Sequence, residues 1–343
     1  MKKITMLDVA KRANVSKSTV SQYLNGRYDY MGEKTRKRIE KAIAELNYQP
    51  NIVARSLKQK RTSTIGVIIA NILHSFSTEV IRAIEDICHQ HDYHVIVCNA
   101  DDEPEKEKKY IEMLKAKQVD GLIVFPTGGN LDLYQSMVSE NYPLVFIDRS
   151  VPGIAVDSVL LNNEKAAKLA VDYFVQHGYE RIGIVTTSLL RNITPRLERL
   201  SGYRKALEEH GLPMKDEYIV ATQIEQISSA LGKMFTSESP PDALLAANDL
   251  ALMEVLEFVK ENQLEIPNQI ALIGIDNTAF AHIYSPTLTT IKQPTFEMGK
   301  KAAERLFESI EGKSTSKQTV ICRFEPEIIE RESVKKQLGK GSD

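Results

Sequence analysis

From Thr62 onward, short runs of β-branched and other apolar residues recur, separated by stretches whose apolar positions return every three or four residues. The runs are IGVIIA (65–70), HVIVCN (94–99), GLIVF (121–125), PLVFID (143–148), SVLL (158–161), RIGIVTT (181–187), ALLAAN (243–248) and IALIGID (270–276). Near-continuous apolar character over so few residues predicts strands buried on both faces, as in a parallel sheet. The stretches between them predict helices over 76–91, 105–117, 163–176, 201–210, 248–262 and 295–311. In the first, Val80, Ile81, Ile84, Ile87 and Cys88 share one face at helical spacing. Strands alternating with helices predict an α/β fold, and about 280 residues with roughly ten strands suit two similar subdomains better than one. The dipeptide Ile-Gly recurs at Ile65-Gly66, Ile182-Gly183 and Ile273-Gly274, an echo compatible with duplication.

The first 61 residues follow another pattern. MLDVAKRANVSKSTVSQYLN (6–25) predicts two short helices crossed at a tight turn. The first, about 6–13, stops at Asn14, a residue type that tolerates the left-handed conformation. Ser16 then serves as N-cap of the second. At 100° per residue, Lys17, Ser21, Asn25, Ser18 and Gln22 fall on one arc of that second helix, and Tyr23, Val20 and Leu24 on the complementary one. The polar arc can hydrogen-bond base edges or phosphates. A third helix, about 33–46, is expected to bury Ile39, Ile43 and Leu46 and to expose Lys34, Arg36, Lys37 and Arg38. A basic connector opened by Pro50 (50–61, too short to hold an isolated helix) leads into the strand-rich part.

Charge sharpens this division. The chain has 343 residues and a net charge of −2, which by itself shows no affinity for nucleic acid. Residues 1–61, however, carry fifteen Lys and Arg against five Asp and Glu, an excess of ten positive charges, so the other 282 residues carry −12. A basic module on an acidic body points to DNA, with the body repelled by phosphate and contact confined to the module. Three cysteines (Cys88, Cys98, Cys322) form no paired framework, no apolar run approaches a membrane span, and Asp8 and Lys11 interrupt any secretory h-region. A cytoplasmic protein is expected.

In open parallel sheets, ligands bind beyond the carboxyl ends of the strands. That rule selects Asn71 to Ser77, Asp101-Asp102, Thr127-Gly128, Asp148-Arg149, Arg191-Asn192, Asn248-Asp249 and Asp276-Asn277, with Phe76 as a nearby aromatic. Carboxylates, amides and arginines around one apolar surface suit a polyhydroxylated ligand. The concentration of Arg149, Arg191, Arg196 and Arg199 suggests that the ligand is anionic.

LDVAKRANVSKSTVSQYLN, followed by Pro50-Asn51, Ala54-Arg55 and Leu57 and by RTSTIGVIIA (61–70), resembles the lactose/galactose-repressor (LacI/GalR) family over essentially the whole chain. The resemblance implies a helix-turn-helix headpiece (1–49), a hinge helix (50–61) and an effector-binding core of periplasmic-binding-protein type (62–331), with a tail (332–343). Within the core it implies an N-subdomain of about 62–161 and 291–321 and a C-subdomain of about 162–290 and 322–331. Lys17, Ser18 and Gln22 would read bases, Ser16, Thr19, Ser21 and Asn25 would lie mostly on the DNA backbone, and Thr5 would also contact DNA. Many relatives carry arginine where Gln22 stands, so preference there would shift from guanine toward adenine. Asn51, Ala54 and Leu57 would enter the minor groove, Leu57 as a wedge in the central base step. Tyr28-Asp29-Tyr30-Met31-Gly32 departs from the family's commoner short polar turn. In the core, RLERLSGYRKAL (196–207) would place Arg199 on the ligand, ANDLAL Asn248, LIGIDN Asp276 and LTTIKQP Gln293, joining Phe76, Asp148, Arg149 and Arg191.

The function so implied is that of a homodimeric transcriptional repressor of a carbohydrate-catabolic operon, bound to near-palindromic operator DNA and controlled by a small effector. VIVCNADDEPEKEKKYIEMLKAKQVDGLIVFPTGG (95–129) and RNITPRLER (191–199) are most similar to repressors of 2-keto-3-deoxygluconate operons, implying an acidic sugar. A neutral sugar, a sugar phosphate or a purine are the alternatives, and a solute-binding protein would share the core but have no use for residues 1–61. The tail has only Val334 and Leu338 as heptad-like residues, so no tail-mediated tetramer is expected. Other chemistry finds no support. GKST (312–315) lacks the first glycine of a P-loop, position 307 being Phe307. Cys88, His89, His91 and His94 have no second cluster for a metal. No nucleophile elbow or zincin motif occurs, so neither an enzyme nor a cofactor is expected.

Overall fold

A computed structural model describes residues 4–29, 31–49, 61–313 and 319–337. The chain divides into two compact units, Met1–Thr62 and Ser63–Asp343. In the first, Thr5 opens α1 (Met6–Ala13) with a capping box: its Oγ1 accepts from the Asp8 N–H at 3.4 Å, and Asp8 Oδ2 accepts from the Thr5 N–H at 2.8 Å. Asn14 ends the helix in the left-handed region (φ 51°), and Val15 N–H donates to Ala10 O. Ser16 then caps α2 (Lys17–Leu24) by accepting from the Thr19 N–H at 3.0 Å. α3 (Glu33–Glu45) completes the unit around Val9, Ala10, Ala13, Val20, Ile39, Ala42 and Tyr48. Ile43 and Leu46 are only half-buried, because α3 ends at Glu45 and Tyr48 turns back to close the core. The expected hinge, with Asn51, Ala54 and Leu57, lies outside the described residues.

The second unit begins with β1 (Thr64–Ile69), α4 (Ser75–Gln90), β2 (His94–Asn99), α5 (Pro104–Ala116), β3 (Gly121–Val124), α6 (Leu131–Ser139), β4 (Leu144–Ile147) and β5 (Asp157–Leu161). It continues with α7 (Asn163–Gln176), β6 (Ile182–Thr187), α8 (Thr194–Glu209), β7 (Ile219–Thr222), α9 (Ile227–Phe235), β8 (Ala243–Ala246), α10 (Asp249–Glu261), β9 (Ala271–Ile275) and β10 (Thr289–Lys292). It ends with α11 (Thr295–Ile310), β11 (Ile321–Phe324) and β12 (Glu327–Ile329). Two sheets result, ordered β11-β5-β4-β3-β1-β2 and β12-β10-β9-β8-β6-β7, parallel except for β12 on β10. Each is a doubly wound sheet of the same strand order. Gly66 pairs with Leu122 in the first and Gly183 with Leu244 in the second, and a Cβ at either glycine would collide with that leucine. Two of the three Ile-Gly dipeptides therefore mark equivalent places in the two halves, whereas Gly274 lies on β9.

The chain crosses between the halves three times, and two crossings fall later than expected. β10 belongs to the second sheet through Lys292, not only to 290, since Lys292 is in register with Glu327. β11 belongs to the first sheet through Phe324, beyond the expected 321, because Phe324 pairs with Leu161. Nor is the segment from 332 a free tail. Ser333 and Val334 are buried, Ser333 Oγ donates to Leu272 O at 2.5 Å, and Gln337 N–H donates to His177 O at 2.8 Å. The body thus runs through Gln337, and Leu338 lies outside the described residues. α8 starts seven residues earlier than its apolar pattern, with Pro195 in its first turn, where a missing N–H costs no helical bond.

Candidate functional site

The carboxyl ends of strands from both sheets meet around one cleft, the place where open parallel sheets bind ligands. Asn71 follows β1, Phe125 follows β3, Asp148 and Arg149 follow β4, Asn248 follows β8, Asp276 follows β9 and Gln293 follows β10. Phe76, Asp148, Arg149, Arg199, Asn248, Asp276 and Gln293 all line this cleft. Arg191 does not. Its backbone is left-handed (φ 68°), its side chain is exposed, and its Nη1 donates to the backbone carbonyl of Asp102. His74, Ser77, Ile193, Pro195 and Arg196 line the cleft without having been singled out as contacts, although His74 and Ser77 fall in the 71–77 stretch and Arg196 among the clustered arginines.

The polar groups are held from behind. Arg199, buried on α8, donates from Nε to Asn163 Oδ1 at 2.8 Å and from Nη1 to Ala247 O at 2.5 Å. Asn248 caps α10, accepting from the Ala251 N–H at 2.8 Å. Gln293 Nε2 donates to Asp276 Oδ1 at 2.6 Å, while Gln293 Oε1 is buried with no protein donor. Arg149 Nη1 donates to Asp102 Oδ1 at 2.6 Å, and Arg196 Nη2 to Asp102 Oδ2 at 3.3 Å, so one carboxylate serves two guanidiniums. The buried Arg149 Nε, 3.4 Å from Asp148 Oδ2, makes no hydrogen bond. Phe76 stands edge-on to Phe125, with centroids 6.3 Å apart, and supplies an apolar wall.

Besides Arg196–Asp102, a hydrogen-bonded contact between His74 and Asp249 joins the two halves. His74 Nδ1 lies 2.5 Å from Asp249 Oδ1, and Asp249 Oδ2 accepts from the Ser75 N–H at 2.7 Å and from its hydroxyl at 3.0 Å. Burial alone would raise the Asp249 carboxyl, but the bonds from His74 and Ser75 outweigh it and hold the group below its usual range. Asp276 behaves oppositely. Burial and the Asp249 carboxylate push it up to about 6 against the pull of Arg199, Gln293 and His74. Burial likewise raises Asp102, but Arg149 and Arg196 overcome it and hold that carboxyl low. The cleft can therefore offer donors to an anion at its arginine wall and exchange hydroxyl hydrogen bonds at Asp276 and Gln293.

On the first unit, Lys17 and Gln22 are exposed, and their side chains make no hydrogen bond or ion pair among the described residues. Ser16 Oγ lies 2.6 Å from Ser18 Oγ and 2.8 Å from Thr19 Oγ1, a hydroxyl cluster at the N-terminus of α2. Thr5 is occupied by its capping box, with its hydroxyl donating to Asp8 Oδ2 at 2.6 Å. Asn25 Nδ2 donates to Ser21 O at 2.7 Å, and Ser21 is half-buried. Away from both places, His91 stacks on Phe307 with centroids 4.4 Å apart, and Cys88 is buried. Among the described residues no group of three or more His, Cys, Asp or Glu could hold a metal ion, and no helix is long and apolar enough to cross a membrane.

Two family models match this chain: bacterial regulatory proteins of the lacI family over residues 5–51, and periplasmic binding proteins and sugar binding domain of LacI family over residues 62–327. "Probable HTH-type transcriptional regulator EndR" of Paenibacillus polymyxa is 51% identical over 335 residues, covering 97% of this chain and 98% of its own. "HTH-type transcriptional regulator KdgR" of Bacillus subtilis (strain 168) is 36% identical over 335 residues, covering 96% and 97%. A crystal structure of the lac repressor dimer bound to operator and the anti-inducer ONPF aligns with a TM-score of 0.82 at 26% identity, over 97% of this chain and 100% of that one.

Proposed function

The chain belongs to the LacI family of bacterial transcriptional regulators, and from that premise we propose that it is a homodimeric repressor released from its operator by an acidic sugar such as 2-keto-3-deoxygluconate. The observation that carries the effector class is the convergence of Arg149, Arg196 and Arg199 on one cleft that also holds Asp276, Gln293 and Phe76. Guanidinium edges suit a carboxylate, the Asp276–Gln293 pair suits hydroxyls, and the phenyl ring suits the carbon chain. Lys17, Ser18 and Gln22 are the base readers of this proposal, and Ser16, Thr19, Ser21 and Asn25 engage the phosphate backbone. Residues 50–61 carry Asn51, Ala54 and Leu57 into the minor groove. The effector acts by binding one closure state of the cleft better than the other. Its role is sensing, with no catalytic step.

Thermal shifts of the full chain with sugar acids, neutral sugars, sugar phosphates and purines test the effector class. A sugar acid is expected to raise the melting temperature and weaken DNA binding; stabilisation by neutral sugars alone overturns the acidic reading. Binding to DNA is expected to fall linearly on a log–log plot as salt rises, and a flat response overturns the repressor reading.

Dimerisation has its own support. Leu73, beside His74, is 71% exposed, Met253, on the helix that carries Asp249, 50%, and Ile283, in the loop before β10, 76%, all large apolar side chains. The relative seen with operator is a dimer. Ile283→Asp is expected to yield a monomer in sedimentation and to weaken DNA binding at least ten-fold through loss of the second headpiece; a persisting dimer removes this face from the interface.

A further inference from the structure

The segment joining α2 to α3, which departs from the family's usual short turn, builds something in the structure. Gly26, with φ +69°, turns the chain out of α2, and a turn from Tyr28 O to Met31 N–H at 2.8 Å brings it into α3. Tyr28 is thereby set between two partners. Its ring meets Tyr23 of α2 edge-on, with centroids 5.8 Å apart, and the Arg36 guanidinium of α3 lies over the ring at 4.3 Å from the centroid. Of the other charges on α3, Lys37 pairs with Glu33 at 2.8 Å, and Arg38 leans on the Thr35 hydroxyl at 3.5 Å. Arg36 forms no ion pair among the described residues.

A guanidinium lying on a ring is held by its face and leaves its N–H edge outward, the edge that grips two phosphate oxygens at once. Stacking also orders the side chain before binding, so less rotamer freedom is lost on contact. We propose that Tyr28 and Arg36 form a preordered phosphate clamp beside the recognition helix, in which Arg36 contacts the DNA backbone and Tyr28 is its positioning residue. The inference rests on the DNA-binding reading above. It assigns to the Tyr28–Gly32 segment a gain in affinity that is independent of base sequence, because phosphates carry none.

The test measures binding of the full-length protein to two unrelated mixed-sequence duplexes between about 50 and 200 mM salt. Arg36→Gln is expected to weaken both complexes equally and to flatten the log–log salt slope by about 0.9 for each headpiece engaged. Tyr28→Ala is expected to weaken binding about two- to five-fold with the slope unchanged, and Tyr28→Phe to behave as wild type. Arg36→Lys keeps the charge but loses the fork and the flat face, so the slope stays while affinity falls. Circular dichroism reports whether Tyr28→Ala still folds; if it does not, Tyr28→Phe and Arg36→Lys decide the matter. An unchanged slope in Arg36→Gln, or wild-type affinity in Arg36→Lys, overturns the clamp alone. Wild-type protein that binds neither duplex in a salt-dependent way overturns the DNA reading, and the clamp with it.

Discussion

Asp276→Asn is expected to make the ligand-free core more stable at pH 7 while abolishing its response to effector. The carboxyl is 5% exposed, faces Asp249 and is raised to about 6 from an ordinary 3.8. A carboxyl raised on folding binds its proton more tightly in the native state, so native stability falls as pH rises from the unfolded value to the folded one. The penalty is absent below about pH 4, grows to about pH 6 and then levels at roughly a few kcal/mol. Asparagine cannot ionise, keeps an oxygen for the Gln293 Nε2 bond and tolerates the backbone at φ 93° better than most residues. The melting temperature should therefore rise by several degrees at pH 7, with the gain shrinking as pH falls to 4. A less stable variant at pH 7, or a gain that does not change with pH, would sink this account. Effector should no longer shift the variant's melting temperature, because the amide cannot accept ligand hydroxyls as a carboxylate does. Strain of this kind, kept at a binding site, is a common exchange of stability for function.

What could be read from the sequence, and what could not, follows the same physics of burial. Strands buried on both faces announce themselves: β4 lies at 144–147, all four residues buried, inside the apolar run that predicts it. The run at 94–99 yields β2, but as an edge strand with half-exposed residues and not one buried on both faces. β7, β11 and β12 escape notice because they lie at or near the sheet edges, with half-exposed residues that break any apolar run. β10 (TTIK) escapes for another reason: its threonines are buried but hydrogen-bonded to Asn277, Arg331 and Ser333, partners that only the tertiary fold supplies. In the cleft, the strand-end rule selects positions but not side-chain directions. It finds Asp148, Arg149, Asn248 and Asp276, and it also selects Arg191, which turns aside to the Asp102 carbonyl. The His74–Asp249 pair spans 175 positions of sequence, and no local pattern joins its members. In the headpiece the caps are local chemistry, so Asn14 and Ser16 sit where their side chains dictate. The Tyr28–Arg36 stack needs two helices already packed.

Gly202→Ala should damage the core and the effector site together, more than any other single-methyl change in α8. A Cβ at Gly202 would stand 2.6 Å from the Glu164 Cα and closer still to its carbonyl oxygen, backbone atoms in the first turn of α7 that cannot step aside. The next residue back along α7 is Asn163, whose Oδ1 aims Arg199 into the cleft, and Arg199 lies three residues before Gly202 on α8. Around this contact Ser201 Oγ donates to Glu164 Oε1 at 2.9 Å and Lys205 Nζ at 2.7 Å, binding the same two turns together. Alanine would gain up to about 1 kcal/mol in helix propensity over glycine. Forcing two helices apart costs about 1–3 kcal/mol or more, so the net effect is destabilising. The melting temperature should fall by several degrees, and effector affinity should fall more than ten-fold as the Asn163–Arg199 bond lengthens. Ser201→Ala, which removes a hydrogen bond from the same contact without adding bulk, should cost about 1 kcal/mol and leave effector affinity within two-fold. Wild-type effector affinity in Gly202→Ala would show that Arg199 is not aimed by the close approach of the two helices.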